Sequence, residues 1–243
     1  MTLRAESEIR HGRILSVHDT ESLWGWGTPA GKMRATRRAK LIATGAQLER
    51  RKRVLEIGCG TGMFTEIFSR TGAQIVAVDI SGDLLEKAKA RCLPSGNVHF
   101  HKKRFEDCDV DGSFDAVIGS SVLHHLDFKQ ALSKMYDLLK PGGIVSFAEP
   151  NILNPQVFIE RRFRKFFPYV SPEETAFVRW RLRDAFLTAG FERVETIPFD
   201  YLHPATPVVM ISLVKALGVC LEKTPLLREF AGSLYVCASR PLK

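Results

Sequence analysis

The middle of the chain alternates short apolar runs with stretches of helical period. Arg53–Ile57 (RVLEI) reads as a strand that breaks at Gly58-Cys59-Gly60-Thr61-Gly62. Residues 63–70 follow as a helix, with Phe64, Ile67 and Phe68 on one face. Gln74–Asp79 (QIVAVD) reads as a second strand, and Ser81 caps a helix reaching residue 91. A weak third strand begins at Val98, and Phe114–Ser120 (FDAVIGS) is a fourth. A helix over residues 128–140 stops at Pro141-Gly142-Gly143, and residues 144–148 (IVSFA) make a fifth strand. Strands alternating with helices predict βαβ units and a parallel sheet. Strands buried on both faces read as continuous apolar runs, as these do.

Beyond residue 150 the pattern continues. Ser171-Pro172-Glu173-Glu174 predicts a helix start, with a cap, a proline at the first position and acids in the first turn. Gly190 ends that helix. Residues 191–198 and Ser233–Ser239 (SLYVCAS) predict two further strands, with an inserted apolar helix over 206–222. Residues 208–221 are apolar at nearly every position, which predicts a buried core or cap helix over a pocket. The alternative is contact with a membrane surface or a greasy tunnel.

The chain has 243 residues, 45% hydrophobic and 26% charged, which excludes a disordered chain and suits one α/β domain with decorations. The division expected is an N-terminal helical cap over 1–49, a core over 50–150, and capping helices with closing strands over 151–243. The net charge of +8 permits a nucleic acid, an anionic membrane or an acidic substrate as partner. The charge is uneven: residues 1–53 carry +7, residues 54–150 carry −3 and residues 151–243 carry +4. Five cysteines without a CxxC or metal spacing read as free thiols in a reducing compartment. The start MTLRAESEIRHGR lacks the apolar core of a signal peptide, and the 14 residues 208–221 are too few to span a bilayer. A cytoplasmic protein is expected, with peripheral membrane contact left open.

The candidate chemistry centres on Val54-Leu55-Glu56-Ile57-Gly58-Cys59-Gly60-Thr61-Gly62. Glycine lets the backbone take positive φ and approach a ligand closely. The spacing is neither GxGxxG nor GxxxxGK[ST], which disfavours nucleotide di- and triphosphates. Glu56 would repel phosphate and suits an ammonium group. Seventeen residues after Gly62 comes Asp79, at a strand end where an acid can accept hydrogen bonds from both ribose hydroxyls. The ligand implied is a nucleoside with a cationic amino-acid tail and no phosphate.

This constellation resembles the class I S-adenosylmethionine-dependent methyltransferases, and within them the small-molecule group related to the ubiquinone and menaquinone enzymes. The segments that carry it are VLEIGCGTG at 54–62, VAVDIS at 76–81, DGSFDAVIGSSVLHHL at 111–126 and LLKPGGIVSFAEPN at 138–151. The resemblance implies a Rossmann-like, seven-stranded, mostly parallel sheet in the order 3-2-1-4-5-7-6, with helices on both faces. It also implies S-adenosylmethionine as cofactor, S-adenosylhomocysteine as product, and no metal. Glu56, Gly58 and Gly60 would bracket the methionine part, with Cys59 and Gly62 as further cofactor-binding positions. Asp79 would hold the ribose and Ile80 would pack on the adenine. Gly119 and Ser120 would line the sulfonium side. At the adenine edge the family often has an Asp, whereas this chain reads Lys103-Arg104-Phe105-Glu106-Asp107, so Glu106 or the backbone beside Phe105 takes that contact.

Acceptor specificity in this family lies outside the core. Trp24 and Trp26, in a glycine-rich loop before a long helix, form either a lid or an anchor for that helix. Asn151 and the segment after it, together with Tyr201 and His203, are the other acceptor candidates, each with loop packing as the alternative. His124, His125 and Glu149 are the candidate catalytic residues. The alternatives are a packed histidine at a helix start, and for Glu149 a cap on the following turn. Residues 161–167 (RRFRKFF) interleave basic and aromatic side chains, which fits an anionic membrane, nucleic acid or an amphipathic helix with a solvated basic face.

The function expected is methyl transfer to a small apolar or aromatic metabolite, at oxygen in preference to nitrogen or carbon. A nucleic-acid methyltransferase, RNA included, would use the basic flanks. Against it, Ser120-Ser121 stand where an Asp/Asn-Pro-Pro-Phe/Tyr would grip a base, and no pocket motif for an extruded base is visible. A peripheral-membrane methyltransferase of a lipid or quinone, and a binding module without catalysis, complete the alternatives.

Overall fold

A computed structural model describes residues 3–110, 112–167, 170 and 174–243. Seven strands form one sheet: β1 (Arg53–Ile57), β2 (Gln74–Asp79), β3 (Val98–Lys102), β4 (Phe114–Ser120), β5 (Leu139–Pro150), β6 (Glu192–Phe199) and β7 (Ser233–Ser239). Their order is 3-2-1-4-5-7-6, as the resemblance implied. β1 to β5 run parallel, and β7 lies antiparallel between β5 and β6. The order reverses between β1 and β4, where an open α/β sheet leaves a crevice at the carboxyl ends of its strands.

The helices are α1 (Leu3–Ser16), α2 (Thr20–Leu23), α3 (Pro29–Gly45), α4 (Met63–Ser69), α5 (Gly82–Cys92), α6 (Phe128–Leu138), α7 (Pro155–Arg162), α8 (Arg179–Thr188) and α9 (Ile211–Lys223). Successive strand residues point to opposite faces, so Val54 and Leu55 enter different cores. Val54, Ile75 and Ile118 pack with Ile42 of α3, Phe68 of α4 and Leu85 of α5. Leu55, Val117 and Phe147 pack with Met135 of α6 and with Leu182 and Phe186 of α8. Both faces are therefore covered, which is why the strands are continuously apolar.

Three expectations change. Helix α6 ends at Leu138, and Pro141-Gly142-Gly143 lie inside a longer β5, held there as the Gly142 amide donates to Arg240. Ser171, Pro172 and Glu173 lie outside the described residues, and α8 begins only at Arg179. Phe177 stays extended because it exchanges backbone hydrogen bonds with Pro150 and Ile152. The apolar helix α9 is not a core helix. Ile211 and Gly218 are its buried positions, while Leu213 and Leu217 are more than half exposed. Both sheet faces are already filled, so α9 packs on Ala30, Leu202 and Tyr201 instead.

The N-terminal loop is locked onto α3. Thr28 Oγ1 accepts from the Gly31 amide at 3.0 Å and donates to the Pro204 carbonyl at 2.7 Å. A Cβ on Gly31 would lie 1.8 Å from the Gly25 carbonyl oxygen, which is backbone and cannot rotate away. Gly31→Ala should therefore cost about 2–3 kcal/mol in denaturant unfolding, the range of core overpacking. Gly96→Ala, left-handed at φ +63 but with open space around it, should cost about 1 kcal/mol. Equal costs would mean that the loop does not sit tightly on α3.

Candidate active site

A cavity of about 840 Å³ opens at the carboxyl ends of β1, β2 and β4. That is toward the upper end of the roughly 300–1,000 Å³ typical of small-molecule sites. One wall is the glycine turn between β1 and α4. Gly58 has φ +66, and a Cβ there would lie 2.4 Å from Val122 Cγ2. Glycine is thus required twice over, by backbone angle and by space. The Gly60 amide donates to Asp79 Oδ2 and the Ser81 amide to Asp79 Oδ1, each at 2.8 Å. Asp79 ties together the turns that follow β1 and β2. Burial pushes its carboxyl up, against the pull of those two amides. Cys59, Ile80, Phe105 and Ser120 are on the same cavity wall.

Other predicted cofactor residues lie off that wall. Gly62 begins α4, where a Cβ would lie 2.8 Å from Ala88 Cα; it allows α4 to approach α5. Gly119 is packed against Phe147, 2.7 Å from its would-be Cβ. Glu56 is buried and does not line the cavity. Its Oε2 has no hydrogen-bond partner, and burial pushes its carboxyl up to about 8. Glu106 reaches the wall, but its carboxylate is engaged. Oε1 accepts from the Asp127 amide at 2.9 Å and Oε2 lies 3.1 Å from Arg104 Nε.

A residue absent from the sequence reading is Arg38. It lies on the cavity wall and is 3% exposed. Nη1 donates to the Ala148 carbonyl and Ser121 Oγ, both at 2.9 Å, and to Ser120 Oγ at 3.3 Å. Nη2 donates to Ser233 Oγ. Its Nε has no partner, and among the described residues no carboxylate lies within ion-pair distance. Burial lowers the guanidinium to about 10, so it remains a cation at neutral pH. A signal was present: Arg38 falls on the helical stripe of Ala35, Ala39 and Ile42, all buried.

The histidine pair divides. His124 is buried, with Nδ1 2.6 Å from Glu149 Oε2 and Nε2 3.3 Å from Glu174 Oε1. Burial alone would lower its pKa; the two carboxylates, Glu149 foremost, reverse this and push it up to about 9. Burial likewise opposes ionisation of Glu174, but His124, His125 and Arg161 hold it down near 2. Glu149, expected in the cleft, is instead fully buried and off the cavity wall. Its Oε1 accepts from the Val122 and Leu123 amides at 3.0 Å, so it caps the turn after β4 and not the turn that follows Glu149 itself. His125 lies on the wall, half-buried, with Nδ1 3.2 Å from Glu8 Oε2 on α1. His124, His125 and Glu174 bring three ligand-capable atoms within 4.8 Å of one another. A ligating imidazole must be neutral, so a metal there would have to displace the proton that His124 holds.

The acceptor candidates also divide. Trp24 and Trp26 line the cavity, and Trp26 is packed edge-to-face on Phe64 with Arg34 and Arg38 each 5.4 Å from its ring. Tyr201 and His203 line it as well. The Tyr201 hydroxyl is spent on the Leu227 carbonyl. His203 Nδ1 accepts from the Ala205 amide at 3.0 Å, and burial with Arg34 nearby lowers its pKa, so the neutral ring carries its proton on Nε2. Asn151 is off the wall. It is fully buried and donates to the Glu229 and Ala231 carbonyls at 2.8 Å.

Residues 54–143 match the family described as methyltransferase domain. A ubiquinone biosynthesis O-methyltransferase of Xanthomonas axonopodis pv. citri is 35% identical over 125 residues, 49% of this chain and 52% of that protein. The chain thus spans about half the length of the curated relatives it matches. In fold, a methyltransferase of Thermotoga maritima gives a TM-score of 0.69 at 18% identity, covering 95% of this chain and 99% of that one. The N-methyltransferase NodS of Bradyrhizobium japonicum, bound to S-adenosylhomocysteine, gives 0.65 at 16% identity, covering 96% and 98%. The [4+2]-cyclase SpnF gives 0.65 at 18% identity, covering 96% of each chain. Residues 54–143 thus match a methyltransferase domain, and the chain as a whole shares the fold of S-adenosylmethionine-dependent methyltransferases.

Proposed function

We propose that the protein transfers a methyl group from S-adenosylmethionine to a small molecule, at an oxygen, and that the cavity holds both. The observation that carries this reading is a pair of buried ionisable groups with unmet hydrogen-bonding capacity, the Arg38 guanidinium at Nε and the Glu56 carboxyl at Oε2, beside the glycine turn and Asp79. The cofactor offers matching groups: a carboxylate, an ammonium and two ribose hydroxyls. Arg38 would hold the carboxylate, which relieves the uncompensated guanidinium. Asp79 would accept from the ribose hydroxyls with the lone pairs that Gly60 and Ser81 leave free. Ile80 and Phe105 would pack on the base. Glu56, behind the turn, would return to its charged form as cationic groups arrive above it.

When bound, the cofactor supplies an electrophilic methyl group on a sulfonium. The acceptor then needs to be held in line and to lose a proton. Trp24, Trp26 and His203 would position it. His125, on the wall beside Glu8, would take the proton; His124 is already a cation and would orient the turn that carries His125. Transfer to oxygen is supported by the named O-methyltransferase relatives, two of which the chain covers over 52% and 40% of their length. The cavity's tryptophans, Phe64 and Leu202 suit an apolar or aromatic acceptor.

Arg38→Met should lower S-adenosylhomocysteine affinity by about 10- to 100-fold in calorimetry, the value of a hydrogen bond to a charged group. The ligand-free variant should be no less stable than the parent, because the change removes a buried charge that has no counter-charge. Unaltered affinity would remove Arg38 from the cofactor site, and no heat-stability gain of the parent with S-adenosylhomocysteine would end the methyltransferase reading.

His125→Gln should reduce kcat by roughly 10²- to 10⁴-fold while leaving cofactor affinity intact. An unchanged kcat rejects the base. His124 behaves differently. Its folded pKa, about 9, exceeds its ordinary 6.5, so its stabilisation is complete below about 6.5 and is lost as pH rises through about 9. Glu56, raised from 4.5 to about 8, acts in the same direction at lower pH. The unfolding free energy of the parent minus that of His124→Gln should therefore fall between pH 6.5 and 9. A flat difference would mean that His124 is not held charged.

A further inference from the structure

Helix α7 is two-sided. Val157, Glu160 and Arg161 line the cavity, whereas Phe158, Ile159 and Phe163 at its outer side are about half exposed. Helix α9 repeats the pattern. Gly218 packs on Tyr201, and Ile211 on Leu202, both cavity-lining residues. Val209, just before α9, is 91% exposed, and Leu213 and Leu217 are 57% and 55% exposed. The turn over residues 227–230 joins the two helices, since Asn154 at the start of α7 donates to the Phe230 carbonyl at 2.8 Å. Leu226 and Phe230 on and beside that turn are exposed too. Large apolar side chains are therefore exposed along one connected layer of structure that walls the cavity from outside. Such exposure marks a contact surface.

The charges on this layer are sorted. Its acids are paired: Glu222 with Arg37 and the Asp200 amide, Glu229 with Arg179. Arg162, Lys165, Lys215 and Lys223 are exposed, and none forms an ion pair among the described residues. Apolar side chains rimmed by uncompensated cations are complementary to an anionic lipid surface. A second copy of the chain is a poorer match, because a two-fold contact would gather the same cations into one interface.

We infer that the α7–α9 layer docks on an anionic bilayer, with the cavity opening beside the lipid. The acceptor would then be an amphiphile taken from the membrane; that consequence rests on the methyltransferase reading, whereas the docking does not.

Cosedimentation tests it, using the full chain and vesicles of phosphatidylcholine with or without phosphatidylglycerol. The protein should pellet with the anionic vesicles at low salt, be released by added salt, and stay largely in solution with phosphatidylcholine alone. Leu213→Glu with Leu217→Glu should cut partitioning by at least about tenfold, and Lys215→Glu with Lys223→Glu should do the same and flatten the salt dependence. Unchanged thermal unfolding and S-adenosylhomocysteine binding would show each variant folded. No pelleting at low salt overturns the inference, as does pelleting that neither pair reduces. So does a dimer in light scattering that Leu213→Glu with Leu217→Glu dissociates while vesicles remain unbound. If the parent pellets but binds no S-adenosylhomocysteine, the docking stands and the proposed function falls.

Discussion

Arg38 reaches from α3 into the point where three strands end, and the site is assembled around that reach. Its guanidinium donates to Ser120 at the end of β4, to the Ala148 carbonyl in β5 and to Ser233 at the start of β7. Among the described residues no carboxylate lies within ion-pair distance of it, and Asp200 and Glu149 attract it only from further off. A buried cation without an ion-pair partner is normally a liability of several kcal/mol, offset here in part by its hydrogen bonds and by the aromatic faces of Trp26 and Phe199. Burying it fixes α3 against the sheet, and α3 in turn fixes the tryptophan loop through Gly31. The helical cap and the sheet are thus joined: the N-terminal segment completes the cavity and places the Arg38 guanidinium on its wall.

The opposite side of the cavity is organised by a second charge cluster with a different logic. Glu149 sits at the end of β5 and caps the turn after β4, while its second oxygen holds His124. Glu174 and Arg161 extend the network to α7. Here the charges compensate one another, so the cluster is a rigid joint. Its rigidity matters because His125 follows His124 directly, and the two rings are tilted against each other at 4.3 Å. Both histidines line the cavity, and the buried ring of His124, held by the two carboxylates, fixes the turn that positions His125.

The parts of this design that depend on local pattern were legible in the sequence. The strands, the glycine turn and Asp79 declare themselves through β-branched runs, positive-φ requirements and strand ends. What was illegible depends on which side a residue is approached from. Glu149 and Asn151 stand at the end of a strand that points toward the cleft, yet their polar atoms are taken by backbone groups of segments distant in sequence. Arg38 lies in a run of basic residues that reads as a solvated helix, and only its place on the apolar stripe distinguishes it. The inserted helix α9 was misjudged for a simple reason: apolar composition measures a need for burial, while the sheet had no free face left to provide it.

The net charge gains a physical meaning when it is sorted by location. The core over residues 54–150 is acidic by three charges, and the flanks hold the whole excess. Within the flanks the positive charge again splits. Arg34 is matched to Asp200 inside the fold, and Arg37 to Glu222 on its outside. Arg38 is inside and, among the described residues, without an ion-pair partner. Arg162, Lys165, Lys215 and Lys223 are outside and, among the described residues, form no ion pair; they stand among exposed apolar side chains. An unmatched interior cation calls for a small anion in the cavity, and unmatched exterior cations beside apolar groups call for an extended anionic surface. Spread evenly, the same excess would specify neither. Its division between one buried position and one outer layer would let a single chain bind a small zwitterionic ligand and an interface independently.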